Sequence, residues 1–286
     1  MNEEFASRRF AGSRLFPAKP KGGRLGSLLL VFAILLPPLA ARDLFEHRAL
    51  PATGEEEAVL VLCPGMNADG AFFLEEEPWL SFARKHRLGV LALHYRSEAG
   101  PMYSEARQGY YWPEQGSGEA LLEEVRSVYG ADLPLLVYGF SGGAHFTSRV
   151  VEWAPERVVA WAAYSAQFWD PPRESASIPP GIVACGEEDG TRWFPSFAYF
   201  YEGRRLGKPW AWISLADTGH ARNAAFEEFV RGFFDAVLGE GEEEAIAVDV
   251  LTERRLPSVR TADQPGLAAV LPAPSLIEPW RALHAP

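Results

Sequence analysis

The sequence predicts an α/β protein built on a mostly parallel sheet with helices on both faces and no large lid. Three observations carry this. Six short apolar runs read as strands: AVLVLC (58–63), LGVLALHY (88–95), LPLLVYGF (133–140), VVAWAAYS (158–165), IVAC (182–185) and PWAWISLA (209–216). A strand with one solvated face would alternate apolar and polar residues, so continuous runs imply cover on both sides. Helical segments fall between or after them, near 72–86, 118–130, 142–153, 193–206 and 221–238, with Ser117 placed to cap the second. Strand and helix in repetition is the pattern of parallel crossovers. Finally, 286 residues that are 48% apolar suffice to bury such a core.

The chain divides into three stretches. Residues 1–41 place Arg8, Arg9, Arg14, Lys19, Lys21 and Arg24 before the apolar run LGSLLLVFAILL and then Pro-Pro-Leu-Ala-Ala. A basic flank, a short apolar stretch and small residues are the layout of an export signal. The run is shorter than the roughly 20 residues that span a bilayer. An uncleaved N-terminal membrane anchor remains the alternative, because Leu39 makes a poor cleavage site after Ala41. The expected location is secreted or periplasmic, with membrane contact only through this segment. Residues 42–238 carry the α/β pattern. Residues 239–286 turn acidic and then Pro-rich, and read as an extension packed on the domain, with Trp280 as its anchor.

A net charge of -11 argues against a nucleic-acid partner, which would need a basic face. Residues 1–41 are themselves basic, so the remainder is more acidic still. Only Cys63 and Cys185 are present, each at the end of a strand, where a buried free thiol is the expected state.

The apolar run 133–140 breaks into Gly139-Phe140-Ser141-Gly142-Gly143 and is followed at once by a helix. G-x-S-x-G between strand and helix is the context of a nucleophile elbow, in which glycines permit a tight turn and close helix–strand packing. The stretch lacks the lysine of a phosphate-binding loop and does not match G-x-G-x-x-G. Ser141 is therefore the expected nucleophile.

A serine needs a base, and ligands of open α/β sheets bind at the carboxyl ends of the strands. Of six histidines, His220 in SLADTGHARN follows the last strand at that edge; His145 lies one turn past Ser141 and is expected to pack beside the elbow. The base needs an acid to fix its tautomer. VACGEEDG offers Glu187, Glu188 and Asp189, with Asp189 as first choice, Glu188 as fallback and Asp170 a more distant alternative. The oxyanion of a tetrahedral intermediate needs backbone donors. Gly142, after the nucleophile, supplies one, and the turn CPGMNADG supplies the other from Met66 or a neighbour.

Taken in order, CPGMN, GFSGG, GEEDG and TGH resemble the α/β-hydrolase superfamily over roughly residues 58–238. Within it, the chain is similar to small secreted esterases of the polyhydroxybutyrate-depolymerase and feruloyl-esterase-like type. The resemblance implies a serine hydrolase that cleaves carboxylic esters through an acyl-enzyme, with Ser141, His220 and Asp189 as triad and no metal or organic cofactor. A small peptidase on the same scaffold and a non-catalytic binding module are the alternatives. Two departures stand out: Cys63-Pro64 replaces the histidine that many members carry before the glycine, and the first strands of the usual sheet are short or absent.

About sixteen residues, QFWDPPRESASIPPGI, join two of the strands, too few for a large helical lid. Tyr111, Trp112, Trp169 and Trp193 sit on carboxyl-edge loops. They either form a platform for a sugar ring or aromatic acyl group or pack beneath the loops as satellite core. The platform reading implies small or polymer-linked carbohydrate or hydroxycinnamate esters.

Overall fold

The computed structural model describes residues 44–97, 109–174, 179–239, 244–257 and 264–284, so the N-terminal segment with its expected signal or anchor lies outside the described residues. Seven strands form one sheet: β1 (Leu44–Ala49), β2 (Ala58–Cys63), β3 (Leu88–Arg96), β4 (Leu135–Phe140), β5 (Val158–Tyr164), β6 (Gly181–Gly186) and β7 (Trp210–Leu215). Their spatial order is β1-β3-β2-β4-β5-β6-β7. Every neighbouring pair is parallel except β1 with β3. All residues of β2, β6 and β7 are buried, as their unbroken apolar runs require.

Six helices accompany the sheet: α1 (Glu77–Lys85), α2 (Ser117–Tyr129), α3 (Gly142–Trp153), α4 (Trp193–Arg205), α5 (Ala224–Leu238) and α6 (Ile277–His284). α1 touches α5, and α5 touches α6, on one face. On the other, Gly118 of α2 backs onto Trp153 of α3, and Tyr199 of α4 lines a pocket of about 180 Å³ with Glu152 of α3. The sheet is thus covered on both faces, and the ends of β2, β4, β6 and β7 open on one edge. Among the described residues no helix is long and apolar enough to cross a membrane.

Four details depart from the sequence expectation. The segment near 72–86 is two elements, a 3-10 turn over Gly70–Glu75 and then α1. Pro78 lies in the first turn of α1, where its missing N–H costs nothing, but it would break a helix running through it. Ser117 does not cap α2: Gly116, at φ 106°, precedes the helix. The Ser117 hydroxyl instead bonds to the carbonyls of Tyr110 (2.9 Å) and Trp112 (3.3 Å). β1 is an added antiparallel edge strand whose half-buried LFEHRA carries no long apolar run. The tail also holds strands β8 (Ile246–Asp249) and β9 (Ala268–Leu271), paired antiparallel.

β7 would otherwise end the sheet with an open edge, and α6 covers it. The Trp280 indole N–H donates to the Trp212 carbonyl (2.8 Å), the Ser214 amide to His284 Nε2 (3.2 Å) and the Ala216 amide to the Leu283 carbonyl (3.2 Å). Trp212 and Ser214 are alternate residues of β7 and Ala216 follows its end, so the tail meets groups a neighbouring strand would have met. Cys63 and Cys185 are buried free thiols, each pushed up to about 12 chiefly by burial.

Candidate active site

β4 delivers Ser141 to the open edge. Its backbone is left-handed, φ 53° and ψ -112°, which is uncommon for a residue with a β-carbon and stores strain. The Ser141 amide donates to the Tyr164 carbonyl at the end of β5 (2.8 Å), fixing the turn between two buried strands. α3 then begins at Gly142. A β-carbon there would lie 2.5 Å from Met66 N, and one on Gly143 would overlap the Cys63 carbonyl. The glycine pair is what lets the loop after β2 press against the start of α3.

Ser141 Oγ lies 2.9 Å from His220 Nε2. On the far side of the ring, Nδ1 lies 2.8 Å from Asp189 Oδ2. A buried carboxylate only accepts, so Nδ1 carries the proton and Nε2 is left to accept from the serine hydroxyl. The Asp189 side chain is 1% exposed. The Arg192 guanidinium donates to its Oδ1 (3.2 Å), and the Cys185 thiol lies 3.8 Å from its Oδ2. The Phe140 ring stacks on the imidazole at 5.1 Å. Serine, histidine and aspartate come from loops after β4, β7 and β6, so the register of the sheet sets their separations.

The other acids named from sequence lie elsewhere. Glu188 is exposed, Glu187 accepts from the Ser214 hydroxyl (3.0 Å), and Asp170 forms a two-pronged pair with Arg149 (3.1 and 3.3 Å). His145 is buried beside the elbow, accepts the Gln167 amide at Nε2 (3.3 Å), and is driven down to about 3 by burial and by Arg149.

The Met66 and Gly142 backbones adjoin at the serine. Neither amide donates to an acceptor among the described residues. By contrast the Asn67 amide reaches the Tyr110 hydroxyl (3.4 Å), and the Ala68 amide closes a turn on the Gly65 carbonyl (3.1 Å). Two N–H groups beside a serine, one of them at a helix N-terminus, are groups of the kind that can receive an anionic oxygen.

The four aromatic residues split. Tyr111 and Trp112 are buried, at 4% and 3% exposure, because Ser117 pins the backbone on either side of them; the Arg149 guanidinium lies 4.7 Å above the Trp112 ring. They are core, not a platform. Trp169 and Trp193 are half-buried. Trp169 stacks on Tyr199 (4.4 Å) and donates to Ser196 Oγ (3.2 Å), while Trp193 stacks on Phe197 (5.5 Å) and donates to Ser214 Oγ (2.7 Å). Phe194, next to Trp193, is 71% exposed, and Met66 is 57% exposed. The described part of the 165–180 connection holds no helix. Sequence reasoning passed over Arg192, although an arginine three residues past the acid was a usable signal, and it passed over Phe140. Among the described residues, no group of three or more His, Cys, Asp or Glu is placed to hold a metal.

The strand order and the elbow between β4 and α3 decide the architecture. This is the α/β-hydrolase fold. The crystal structure of esterase PE8 is similar at TM-score 0.53 and 20% identity, over 68% of this chain and 99% of that one. The protein Atu2452 of unknown function from Agrobacterium tumefaciens str. C58 is similar at TM-score 0.50 and 21% identity, over 68% and 96%. LpqC, a poly(3-hydroxybutyrate) depolymerase from Bordetella parapertussis, gives TM-score 0.48 and 17% identity over 66% and 85%. At these identities the likeness concerns the fold. No protein-family model matches the sequence, and no curated protein does.

Proposed function

We propose that the chain is a serine hydrolase that cleaves carboxylic esters through an acyl-enzyme. The observation that carries this reading is the relay Ser141 Oγ–His220 Nε2, 2.9 Å, and His220 Nδ1–Asp189 Oδ2, 2.8 Å. Ser141 Oγ attacks the ester carbonyl carbon as its proton passes to Nε2. Asp189 holds the ring and stabilises the imidazolium. The carbonyl oxygen takes the negative charge and receives the Gly142 and Met66 amides. One such donor is worth about 10²–10³ in kcat. Collapse expels the alcohol, protonated from Nε2, and leaves acyl-Ser141. Water then attacks with His220 as base, releasing the carboxylic acid and restoring the serine.

The sequence resemblance to secreted esterases supports an ester rather than an amide substrate. Exposed Phe194 beside half-buried Trp193, with Trp169, supports an aromatic acyl group or sugar ring as the partner, as in hydroxycinnamate or carbohydrate esters. The basic-then-apolar order of residues 1–41 supports export, with retention as an anchor the other fate.

The test is hydrolysis of a panel of acetyl, feruloyl and longer-chain esters, with matched amides, by the chain lacking residues 1–41. Turnover of any ester that vanishes in Ser141→Ala is the expected result. A folded protein that turns over no ester, or one whose turnover survives that substitution, contradicts it.

A further inference from the structure

Two residues past His220, one guanidinium is held by two carboxylates. Arg222 Nη1 and Nη2 each lie 2.7 Å from an oxygen of Glu76, and Nε and Nη2 lie 2.6 and 2.8 Å from the oxygens of Glu227. Both contacts are two-pronged, the geometry in which arginine fixes direction as well as distance. Its planar face covers two rings, with Cζ 4.5 Å from the Phe73 centroid and 5.0 Å from that of Phe72. Glu227 is buried and also accepts the Tyr138 hydroxyl (2.9 Å), which has no exposure of its own.

Each partner leads to a catalytic group. Tyr138 lies on β4, three residues before Ser141. Phe72, Phe73 and Glu76 belong to the turn and cap that follow the Met66 loop. Arg222 itself sits between His220 and Asn223, which caps α5. The segments bearing nucleophile, base and oxyanion donor, distant in sequence, are thus joined through Arg222 and its partner Glu227. Its neighbour adds a second tie, since the Tyr164 hydroxyl donates to the Ala221 carbonyl (2.8 Å).

We propose that Arg222 is a positioning residue that sets His220 against Ser141 and holds the Met66 loop against Gly142, through Glu227 and Glu76 respectively. This rests on the serine-hydrolase reading above. Arg222 touches no reacting atom. Its effect is on geometry, and a misplacement of about 1 Å in such a site costs up to about 100-fold in rate.

The test compares the parent with Arg222→Met, Arg222→Lys and Glu76→Gln in ester turnover and in the rate of fluorophosphonate labelling. Arg222→Met lowers kcat and the labelling rate about 10- to 100-fold with KM little changed, and weakens the downfield proton signal of the His220–Asp189 hydrogen bond. Arg222→Lys, which keeps the charge but loses the fork, recovers only part. Arg222→Met leaves two facing carboxylates and can fail to fold. Glu76→Gln then decides, because it keeps the Arg222–Glu227 pair; it lowers kcat about 10-fold through the Met66 loop and leaves the downfield signal in place. Folded variants that label and turn over at the parental rate overturn the inference alone. A folded parent that neither labels nor turns over ester removes the hydrolase reading, and the inference falls with it.

Discussion

Asp189 Oδ2 meets His220 Nδ1 at 2.8 Å from within the protein, with its own side chain 1% exposed. Three side chains hold its oxygens: the His220 imidazole, the Arg192 guanidinium and the Cys185 thiol. Asp189→Asn therefore does more than remove a charge. An amide N–H facing Nδ1 favours the tautomer with the proton on Nε2, which can no longer accept from Ser141. We expect kcat to fall about 10³–10⁴-fold with the fold retained, measured by ester turnover alongside circular dichroism.

Gly142 is set by contact with the Met66 backbone. A β-carbon there would stand 2.5 Å from Met66 N, and that neighbour is main chain, which cannot swing away as a side-chain tip can. Gly142→Ala should push the Met66 loop out and lose one oxyanion donor. The expected result is a fall in kcat of about 10²–10³-fold with KM nearly unchanged. Equal turnover in the variant would show that Met66 is not the donor.

His145 ties acid stability to the elbow helix. Burial, reinforced by Arg149, lowers its pKa from 6.5 to about 3, so the folded state keeps it neutral while the unfolded chain protonates it. The unfolded state binds more protons across that window, and stability is lost as pH falls from 6.5 toward about 3. Between pH 7 and about 4.5, His145→Gln should lose about 2 to 3 kcal/mol less than the parent in urea unfolding. An identical loss in both proteins would place the acid sensitivity elsewhere.

The tail is predicted to be structural. Trp280 is fully buried and bonds to the Trp212 carbonyl, and α6 covers the β7 edge at Trp212, Ser214 and Ala216. Trp280→Ala should cost about 3 to 5 kcal/mol in urea unfolding. Deletion of residues after 239 should expose the edge and produce aggregation on size-exclusion chromatography. A monomeric deletion variant of parental stability would refute this.

Legibility in the sequence tracked the range of the interactions involved. The buried strands showed because residues such as Val59 to Leu62 are apolar without a break. The elbow showed because Gly139, Ser141 and Gly143 stand together in a short motif directly between a strand and a helix, although the contacts that demand Gly142 and Gly143 come from the distant Met66 and Cys63 backbone. Order along the chain then pointed to Asp189 and His220. β1 did not show, because Leu44–Ala49 is half-buried on a sheet edge and mixes Glu46, His47 and Arg48 among its apolar residues. Tyr111 and Trp112 look the same in sequence whether they line a cleft or fill a core; Ser117 decides, through bonds to backbone carbonyls that no side-chain pattern reveals. Arg222 reaches Glu76 across 146 positions, and a single sequence gives no sign of such a pair.

The proposed chemistry turns on activation of Ser141 by His220. The most direct measurement is reaction of the chain lacking residues 1–41 with a fluorophosphonate, followed by mass mapping of the adduct, beside Ser141→Ala and His220→Ala. The expected result is one adduct, on Ser141, absent from the first variant and slowed at least about 10³-fold in the second. A folded parent that forms no adduct, or an adduct on Ser141 that forms as fast without His220, would contradict it.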